Sequence, residues 1–261
     1  MEWNQVLVCE DTQEGIFTGI YEAYERKCDP EHTVIQAGEE GELCLFSNYR
    51  KVVPDMEKAE KTARTLRRRF GEECFEQLCL ALSSWQADKG QAVYRTVVEG
   101  LSGRVKGRLM DHLGNPHVAR TFELARAAGN ESHHLLGFLR FSETADGLLF
   151  AQIGPKNNVV PHMMPHFADR FPGENFVIVD ENRRLYGVHP AHKEWFLALP
   201  GEGVKTPEKK DLEFTDNELQ IQELFRFFCR KIMIKERENR ELQRQLLPYR
   251  FQEYMVEFGG K

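Results

Sequence analysis

The chain has 261 residues, 41% hydrophobic and 29% charged, which is long enough to bury a core without disulfides or a structural metal. Its net charge of −6 excludes a general polyanion binder, so any nucleic-acid contact must come from local basic clusters. The six cysteines contain no CxxC pair, and no apolar run approaches the roughly 18 residues of a membrane span. We therefore predict reduced thiols, no membrane association and a cytoplasmic location.

The N-terminal stretch is predicted to begin with a strand followed by a helix. Residues 6–9 form a short apolar run that fits an edge strand, and Asp11 or Thr12 is placed to cap a helix whose apolar residues recur at helical spacing. Residues 29–53 contain two short runs, HTVIQAG and ELCLF, which fit either short strands or extended loop.

Residues 55 to about 130 are predicted to form a helical lobe. Three segments with helical periodicity are separated by glycine or polar turns, and a fourth helix begins with Asn115 as cap and Pro116 in its first turn. Two basic clusters lie in this lobe: Arg67, Arg68 and Arg69, and then Arg104, Lys106 and Arg108. Such runs can touch phosphates, but they are more often a solvated helix face.

The stretch from residue 131 to 199 predicts a β-β-α-β-β unit. Apolar runs at 135–141, 148–153, 176–179 and 184–188 indicate strands, and residues 158–171 indicate a helix between the two pairs. The short connection at 144–147 fits a hairpin and is too short for a parallel crossover. The predicted fold class is α+β, with the helical lobe packed on this small antiparallel unit and the C-terminal helices folding back.

The predicted division of the chain has four parts. Residues 1–130 hold the β-α start and the helical lobe, 131–199 the β-β-α-β-β unit, 200–213 a linker rich in Gly, Pro and charge, and 214–261 basic C-terminal helices. Thr215 is the predicted cap of the first of these helices. Between residues 226 and 250 there are eight basic and three acidic residues, an excess of five positive charges in an acidic protein.

Most residues able to bind an anion or transfer a proton fall in or beside the β-β-α-β-β unit. The sequence has no phosphate loop, no GxSxG turn, no HExxH helix and no GxGxxG after a strand. The candidate catalytic residues are Glu131, His133 and His166. The candidate anion-binding or nucleic-acid-binding residues are Arg140, Asn158, Arg170, Arg183, Arg230, Arg237 and Arg240.

A metal is the alternative use of the histidines. His162 and His166 are one helical turn apart, and Glu131, His133 or Asp180 would be further ligands. Pro161 and Pro165 interrupt the same helix, and two histidines at this spacing are more often surface or hydrogen-bonded residues, so we expect no metal and no cofactor.

We predict that Glu131, His133, Arg140, His166 and Arg170 converge on one pocket between the helical lobe and the sheet. His166 and Arg170 are four residues apart and share a helix face. Two Arg and two His around a single Glu leave surplus donors that suit a phosphate or another anion. The alternative is structural, with Glu131 simply pairing with Arg140 or Arg170.

Several motifs resemble one known family across nearly the whole chain. They are EGIFTGIYEAYERK near the start, Asn115 with Pro116, Glu131-x-His133 followed by GFLRF, Ile153-x-Pro155 with Asn158, PHFADRF, Asp180 with Arg183 or Arg184, IKERENRELQ and PYRF. In this order they are similar to the uncharacterised "probable DNA metabolism proteins" of bacteria. Members of that family are typically encoded beside a radical SAM protein related to spore photoproduct lyase, and a similar domain occurs fused to uracil-DNA glycosylase family domains.

The resemblance implies a context of DNA repair or modification, with DNA and a radical SAM protein as partners. The chain lacks the CxxxCxxC motif of a radical SAM cluster, so it is not itself that radical enzyme. Our first hypothesis is an accessory protein that binds nucleic acid through the central unit and the basic C-terminal helices. The alternatives are a nucleic-acid hydrolase or base-removing enzyme that uses Glu131 and nearby histidines, and a purely structural partner subunit.

Overall fold

A computed structural model describes residues 4–38, 46–200 and 212–258 of the chain. These residues form the predicted α+β fold, and the chain divides into two structural units, residues 1–129 and 130–261. The sequence-based division has its first boundary at residue 130, and its further boundaries at 199 and 213 stay predictions. Most of the predicted linker, 201–211, lies outside the described residues.

The first unit combines a small sheet with a group of helices. In chain order its elements are β1 (Asn4–Cys9), α1 (Gln13–Glu25), β2 (Thr33–Ala37), β3 (Ser47–Val52), α2 (Met56–Phe70), α3 (Glu72–Leu82), α4 (Lys89–Leu101) and the beginning of α5 (Pro116–Phe138). The helices that were predicted for residues 55 to about 130 are confirmed. Asn115 caps α5 as predicted, since its Oδ1 accepts a hydrogen bond from the His117 amide at 2.9 Å.

The sheet of the first unit is parallel, in the order β2-β1-β3. The prediction of an edge strand at residues 6–9 is wrong, because β1 is the central strand and is paired on both sides. The run HTVIQAG contains β2, whereas most of ELCLF lies outside the described residues. The sequence analysis missed β3, whose sequence SNYRKV is largely exposed and shows no apolar alternation.

The second unit contains a five-stranded sheet, the helix that crosses it and the C-terminal helices. In chain order its elements are the end of α5, β4 (Ser142–Glu143), β5 (Leu149–Ile153), α6 (Val160–Arg170), β6 (Phe176–Asp180), β7 (Leu185–His189), β8 (Phe196–Ala198), α7 (Asp216–Ile232), α8 (Arg240–Leu246) and α9 (Tyr249–Gln252). The elements β4 to β7 with α6 follow the predicted β-β-α-β-β order, although the first strand is not at the predicted residues and the fifth strand, β8, was not predicted. The strand order in the sheet is β4-β5-β6-β7-β8.

Three details of this sheet differ from the prediction. The strand predicted at 135–141 is wrong, since α5 continues to Phe138 and buries Leu135, and Leu139, which directly follows the helix, donates its amide to the Leu135 carbonyl at 2.8 Å. The hairpin at 144–147 is present, but it joins β5 to the two-residue strand β4. The sheet is also mixed, because β5 and β6 are parallel, as the helical crossover through α6 allows.

The core of the second unit lies between the sheet, α5 and α6, and includes Met163, Phe176 and Ile178. The C-terminal helices fold back on this core as predicted, through the buried side chain of Phe251. Thr215 caps α7 as predicted, because its Oγ1 accepts a hydrogen bond from the Glu218 amide at 3.1 Å. Among the helices of the described ranges, none has the length and apolar character to cross a membrane.

Candidate functional site

The loop between β5 and α6, residues 154–158 with the sequence GPKNN, accepts several hydrogen bonds from side chains of other elements and donates several to them. We call it the β5–α6 loop. It follows the carboxyl end of β5, and because β5 and β6 are parallel, Asp180 at the end of β6 lies at the same edge of the sheet. In many parallel sheets, ligands bind at the carboxyl ends of the strands.

Glu131 on α5 binds the amide groups of the β5–α6 loop. Its carboxylate accepts hydrogen bonds from the Lys156 amide at 3.1 Å, the Asn157 amide at 2.8 Å and the Asn157 side-chain nitrogen at 2.7 Å. An Arg250 nitrogen lies 3.4 Å from Oε1. Glu131 is only 4% exposed, so these donors, rather than water, stabilise its buried charge.

Arg183 binds the carbonyl groups of the same loop. Its guanidinium donates to the Pro155 carbonyl at 3.1 Å and to the Lys156 carbonyl, and it also donates to Asp180 Oδ2 at 3.0 Å. Asn182 donates a further hydrogen bond to the Pro155 carbonyl at 3.0 Å. The loop is thus held through its amides from one side and through its carbonyls from another.

Asp180 positions Arg183. It is fully buried, and its Oδ1 accepts the amides of Asn182 at 3.0 Å and Arg183 at 3.2 Å, while Oδ2 accepts the guanidinium. Burial raises the pKa of the Asp180 carboxyl, and the nearby Arg183 guanidinium opposes part of this increase. Asp180 is therefore a buried carboxyl group whose partner, Arg183, is only half-buried.

The C-terminal end of the chain completes the bracing. Tyr254 lies against Gly154, where an added Cβ would be 2.3 Å from the phenol oxygen, and it donates a hydrogen bond to Glu181 Oε2 at 2.9 Å. Burial and the Glu181 carboxylate both raise the pKa of Tyr254. Glycine at position 154 is therefore required by the close approach of the tyrosine ring.

The β5–α6 loop exposes the side chain of Lys156, while the Oδ1 atom of Asn158 is buried without a hydrogen-bond partner. A loop held by several neighbouring residues loses little conformational freedom when a ligand binds, which is the arrangement expected of a preorganised site. Glu131 is engaged by donors on both of its oxygens, so its observed role is to hold the loop in position.

The predicted pocket residues other than Glu131 make different contacts. Arg140 donates to the carbonyls of Gly137 at 2.8 Å and Leu139 at 3.0 Å, and lies 3.6 Å from Glu257. His133, His166 and Arg170 are exposed. Among the described residues, no hydrogen bond or ion pair joins Glu131 to Arg140 or Arg170, and the convergence of the five residues on one pocket stays a prediction.

The sequence analysis missed Arg250, Asn157 and Tyr254 as partners of the candidate residues. Arg250 lies in the PYRF motif, which was the only signal that pointed to the end of the chain.

The histidine His162, which was considered as a metal ligand, is largely removed from water, and burial lowers its pKa. In the described part of the chain, no group of three or more His, Cys, Asp or Glu side chains is placed to hold a metal ion.

The basic C-terminal helices have a different environment. Arg230, Arg237 and Arg240 are all exposed, and within the described ranges only Arg240 of these three has a carboxylate partner, Glu238 at 2.9 Å. Arg230 donates to the Arg226 carbonyl at 3.3 Å, and Arg244 donates to the Arg240 carbonyl at 3.2 Å. These guanidinium groups therefore retain free donors for an external anion.

The second unit is thus an α+β module with a crossover helix, a braced loop at the carboxyl edge of two parallel strands, and a basic helical C-terminus. The chain belongs to an uncharacterised family, the domain of unknown function DUF4130, whose family model matches residues 87–257. The match includes every candidate site residue. No curated protein matches the sequence.

Proposed function

We propose that this protein binds nucleic acid through its basic C-terminal helices and acts as an accessory protein in DNA repair or modification. The observation that supports this most directly is the exposure of basic side chains without carboxylate partners in this segment. Within the described residues, no carboxylate lies within ion-pair distance of Arg230, Lys231, Arg237 or Arg244. Unpaired, exposed guanidinium groups are the usual donors to phosphate oxygens.

Basic residues elsewhere in the chain are paired more often. Arg104 lies 3.0 Å from Glu99, and Arg108 lies 3.2 Å from Glu73. On α2, Arg67 lies 3.2 Å from Glu72. A phosphate would have to compete with these carboxylates, whereas in the C-terminal helices it meets a local excess of positive charge.

The C-terminal helices also offer an aromatic ring to a nucleic acid. Tyr249 is 67% exposed and is followed by Arg250, whose guanidinium stacks on Phe251 at 4.5 Å. An exposed ring beside basic groups allows an unpaired base to stack while its phosphate is bound. This favours single-stranded or locally opened substrates.

The geometry favours binding over acid–base chemistry by Glu131. A general base needs a free oxygen within reach of a substrate proton. Both oxygens of Glu131 are already bound by the β5–α6 loop, and Oε1 also lies beside Arg250. We therefore assign Glu131 and Arg183 a positioning role, and we propose Lys156 and Asn158 on the loop as additional contacts.

We also propose that the protein delivers DNA to a radical SAM partner, and this proposal rests on the family resemblance alone. Co-purification of the two proteins, each with its own affinity tag, tests this proposal separately. Recovery of the radical SAM protein with the wild-type chain supports it. Independent elution of the two proteins at micromolar concentrations would contradict it.

The DNA-binding proposal is tested by affinity for a single-stranded and a duplex oligonucleotide at several salt concentrations. Arg230→Ala, Arg237→Ala and Arg240→Ala should each weaken binding by a similar factor on unrelated sequences and lower the salt slope by about one unit. Arg104→Ala is the matched control, because it removes an exposed guanidinium outside the C-terminal segment. Equal slopes in all four variants and the wild type would rule out this surface.

A further inference from the structure

Helix α7 contacts its own unit through a mixed polar and apolar side. Its half-buried positions are Glu218, Gln222, Phe225, Arg226 and Cys229. Gln222 donates a hydrogen bond to Ser142 Oγ at 3.2 Å, and Arg226 donates to the Val256 carbonyl at 3.0 Å. None of the 17 residues of α7, all of them described, is buried. The helix therefore buries little apolar surface against its own unit, whereas an ordinary surface helix buries its apolar side against the core.

The opposite side of α7 carries a row of exposed apolar residues. We call this row the α7 stripe; it consists of Ile221, Leu224, Phe227, Phe228 and Ile232. Leu224 is 67% exposed, and the other four are between 51% and 58% exposed. At roughly 100 Å² of accessible area each, the stripe covers about 500 Å², which is at the upper end of patches on soluble monomers. Isolated helices of this length are marginal in water, so a partner surface would stabilise α7.

The charges of α7 are divided along its length. Its exposed acidic residues, Asp216 and Glu223, lie in its first half, and its exposed basic residues, Arg230 and Lys231, lie in its second half. The complement of such a helix is one with the same division running in the opposite direction. A second copy of α7 in antiparallel orientation has this arrangement, because a two-fold axis places each acidic half against a basic half.

We propose that α7 is a self-association surface, and that two copies of this chain pair through antiparallel α7 helices. A two-fold axis near the midpoint between Arg226 and Phe227 sets Ile221 opposite Ile232 and Glu223 opposite Arg230. The two stripes together would bury about 1,000 Å², the lower limit for a specific interface. The acidic first half makes α7 a poor surface for an anionic membrane or for nucleic acid along its whole length.

The dimer does not depend on the DNA-binding proposal. Arg237, Arg240 and Arg244 lie beyond the end of α7, so they stay available when the α7 stripe is covered. A dimer would carry two such basic segments, and its affinity for a long oligonucleotide would exceed that of a monomer through multivalency. Arg230 would face Glu223 of the second copy in the dimer, so Arg237→Ala and Arg240→Ala are the variants that test DNA binding independently of dimer formation. With these variants the two proposals can fail separately.

The test is sedimentation equilibrium of the full chain over a range of micromolar concentrations at moderate salt. The wild type should populate a dimer, and Phe228→Asp should raise the dissociation constant at least tenfold. Leu113→Asp is the matched control, because Leu113 is a large apolar residue of comparable exposure, 49%, in the first unit. Circular dichroism of each variant checks that the fold is retained.

Charge reversal identifies the partner as a second antiparallel copy. Glu223→Arg and Arg230→Glu should each weaken the dimer, and the double variant should recover at least part of the loss because it restores opposite charges across the axis. A monomeric wild type at all concentrations would overturn the proposal and leave the α7 stripe to a different protein. A dimer that is unaffected by Phe228→Asp would overturn it as well.

Discussion

The β5–α6 loop and the C-terminal helices α7 and α8 belong to the same unit, yet their polar groups are used in opposite ways. Around the loop, Glu131 and Arg183 are engaged by the amides and carbonyls of the loop itself. On the helices, Arg230 and Arg237 are exposed and have no carboxylate partner among the described residues. Charged residues that look alike in the sequence therefore separate into those that hold the fold and those that are free to bind.

This difference has an energetic consequence. Removing one member of a buried, hydrogen-bonded group leaves its partners unsatisfied, which costs several kcal/mol. Removing an exposed guanidinium that makes one backbone contact costs little stability, because water replaces the contact. Stability measurements and binding measurements should thus respond to different residues of the same unit.

The largest effect is expected for Glu131→Ala. The substitution leaves two loop amides, the Asn157 side chain and Arg250 without their acceptor, so the free energy of unfolding should fall by about 3–5 kcal/mol. Urea denaturation followed by circular dichroism measures this loss. His133→Ala is the matched control on the same helix, since His133 is exposed, and it should change stability by less than about 0.5 kcal/mol. Equal losses in the two variants would contradict the bracing role of Glu131.

A smaller loss is expected for Gly154→Ala. The added Cβ would be 2.3 Å from the Tyr254 phenol oxygen, so the ring must move and its hydrogen bond to Glu181 is weakened. Overpacking of this kind typically costs about 1–3 kcal/mol. Gly137→Ala is the control, because Gly137 lies in α5 with no neighbouring atom within 4 Å of an added Cβ, and alanine should stabilise that helix by up to about 1 kcal/mol.

Opposite signs for the two glycine variants, measured as shifts in Tm, would show that the close approach of Tyr254 matters, and not glycine itself. A stabilising Gly154→Ala would mean that the C-terminal end of the chain does not lie against the loop in solution.

Some of the elements and contacts of the second unit can be predicted from the sequence, and others cannot. Helix periodicity and caps such as Thr215 are local signals, and they correctly predict most helices and the β-β-α-β-β order. The apolar run at 135–141 is ambiguous between strand and helix, and only the burial of Leu135 and Leu139 against the core of the second unit decides for helix. The partnership of Glu131 with Arg250 joins residues far apart in the chain, and no local pattern specifies such a pair.

A third effect, smaller than the first two, concerns His162 on α6, which follows the braced loop. Burial lowers its pKa in the folded state, so below about pH 6.5 the unfolded chain binds more protons than the folded chain. Protonation of His162 therefore favours the unfolded state, and the free energy of unfolding decreases as the pH falls below about 6.5. His162→Leu should make Tm less dependent on pH between 7.5 and 5.5. An unchanged pH dependence would show that His162 is not buried in solution.

The smallest effect on stability, and a clear effect on binding, is expected for Arg244→Ala. The Arg244 side chain is exposed, and its Nε donates only to the Arg240 carbonyl of the preceding turn. The free energy of unfolding should change by less than about 0.5 kcal/mol, while the affinity for a DNA oligonucleotide at low salt falls and the salt slope decreases by about one unit. Arg183→Ala should behave in the opposite way, with a large loss of stability because it leaves Asp180 buried without its guanidinium partner. If Arg244→Ala destabilises the chain as much as Arg183→Ala does, the C-terminal helices are part of the structural framework and the distinction between the two regions fails.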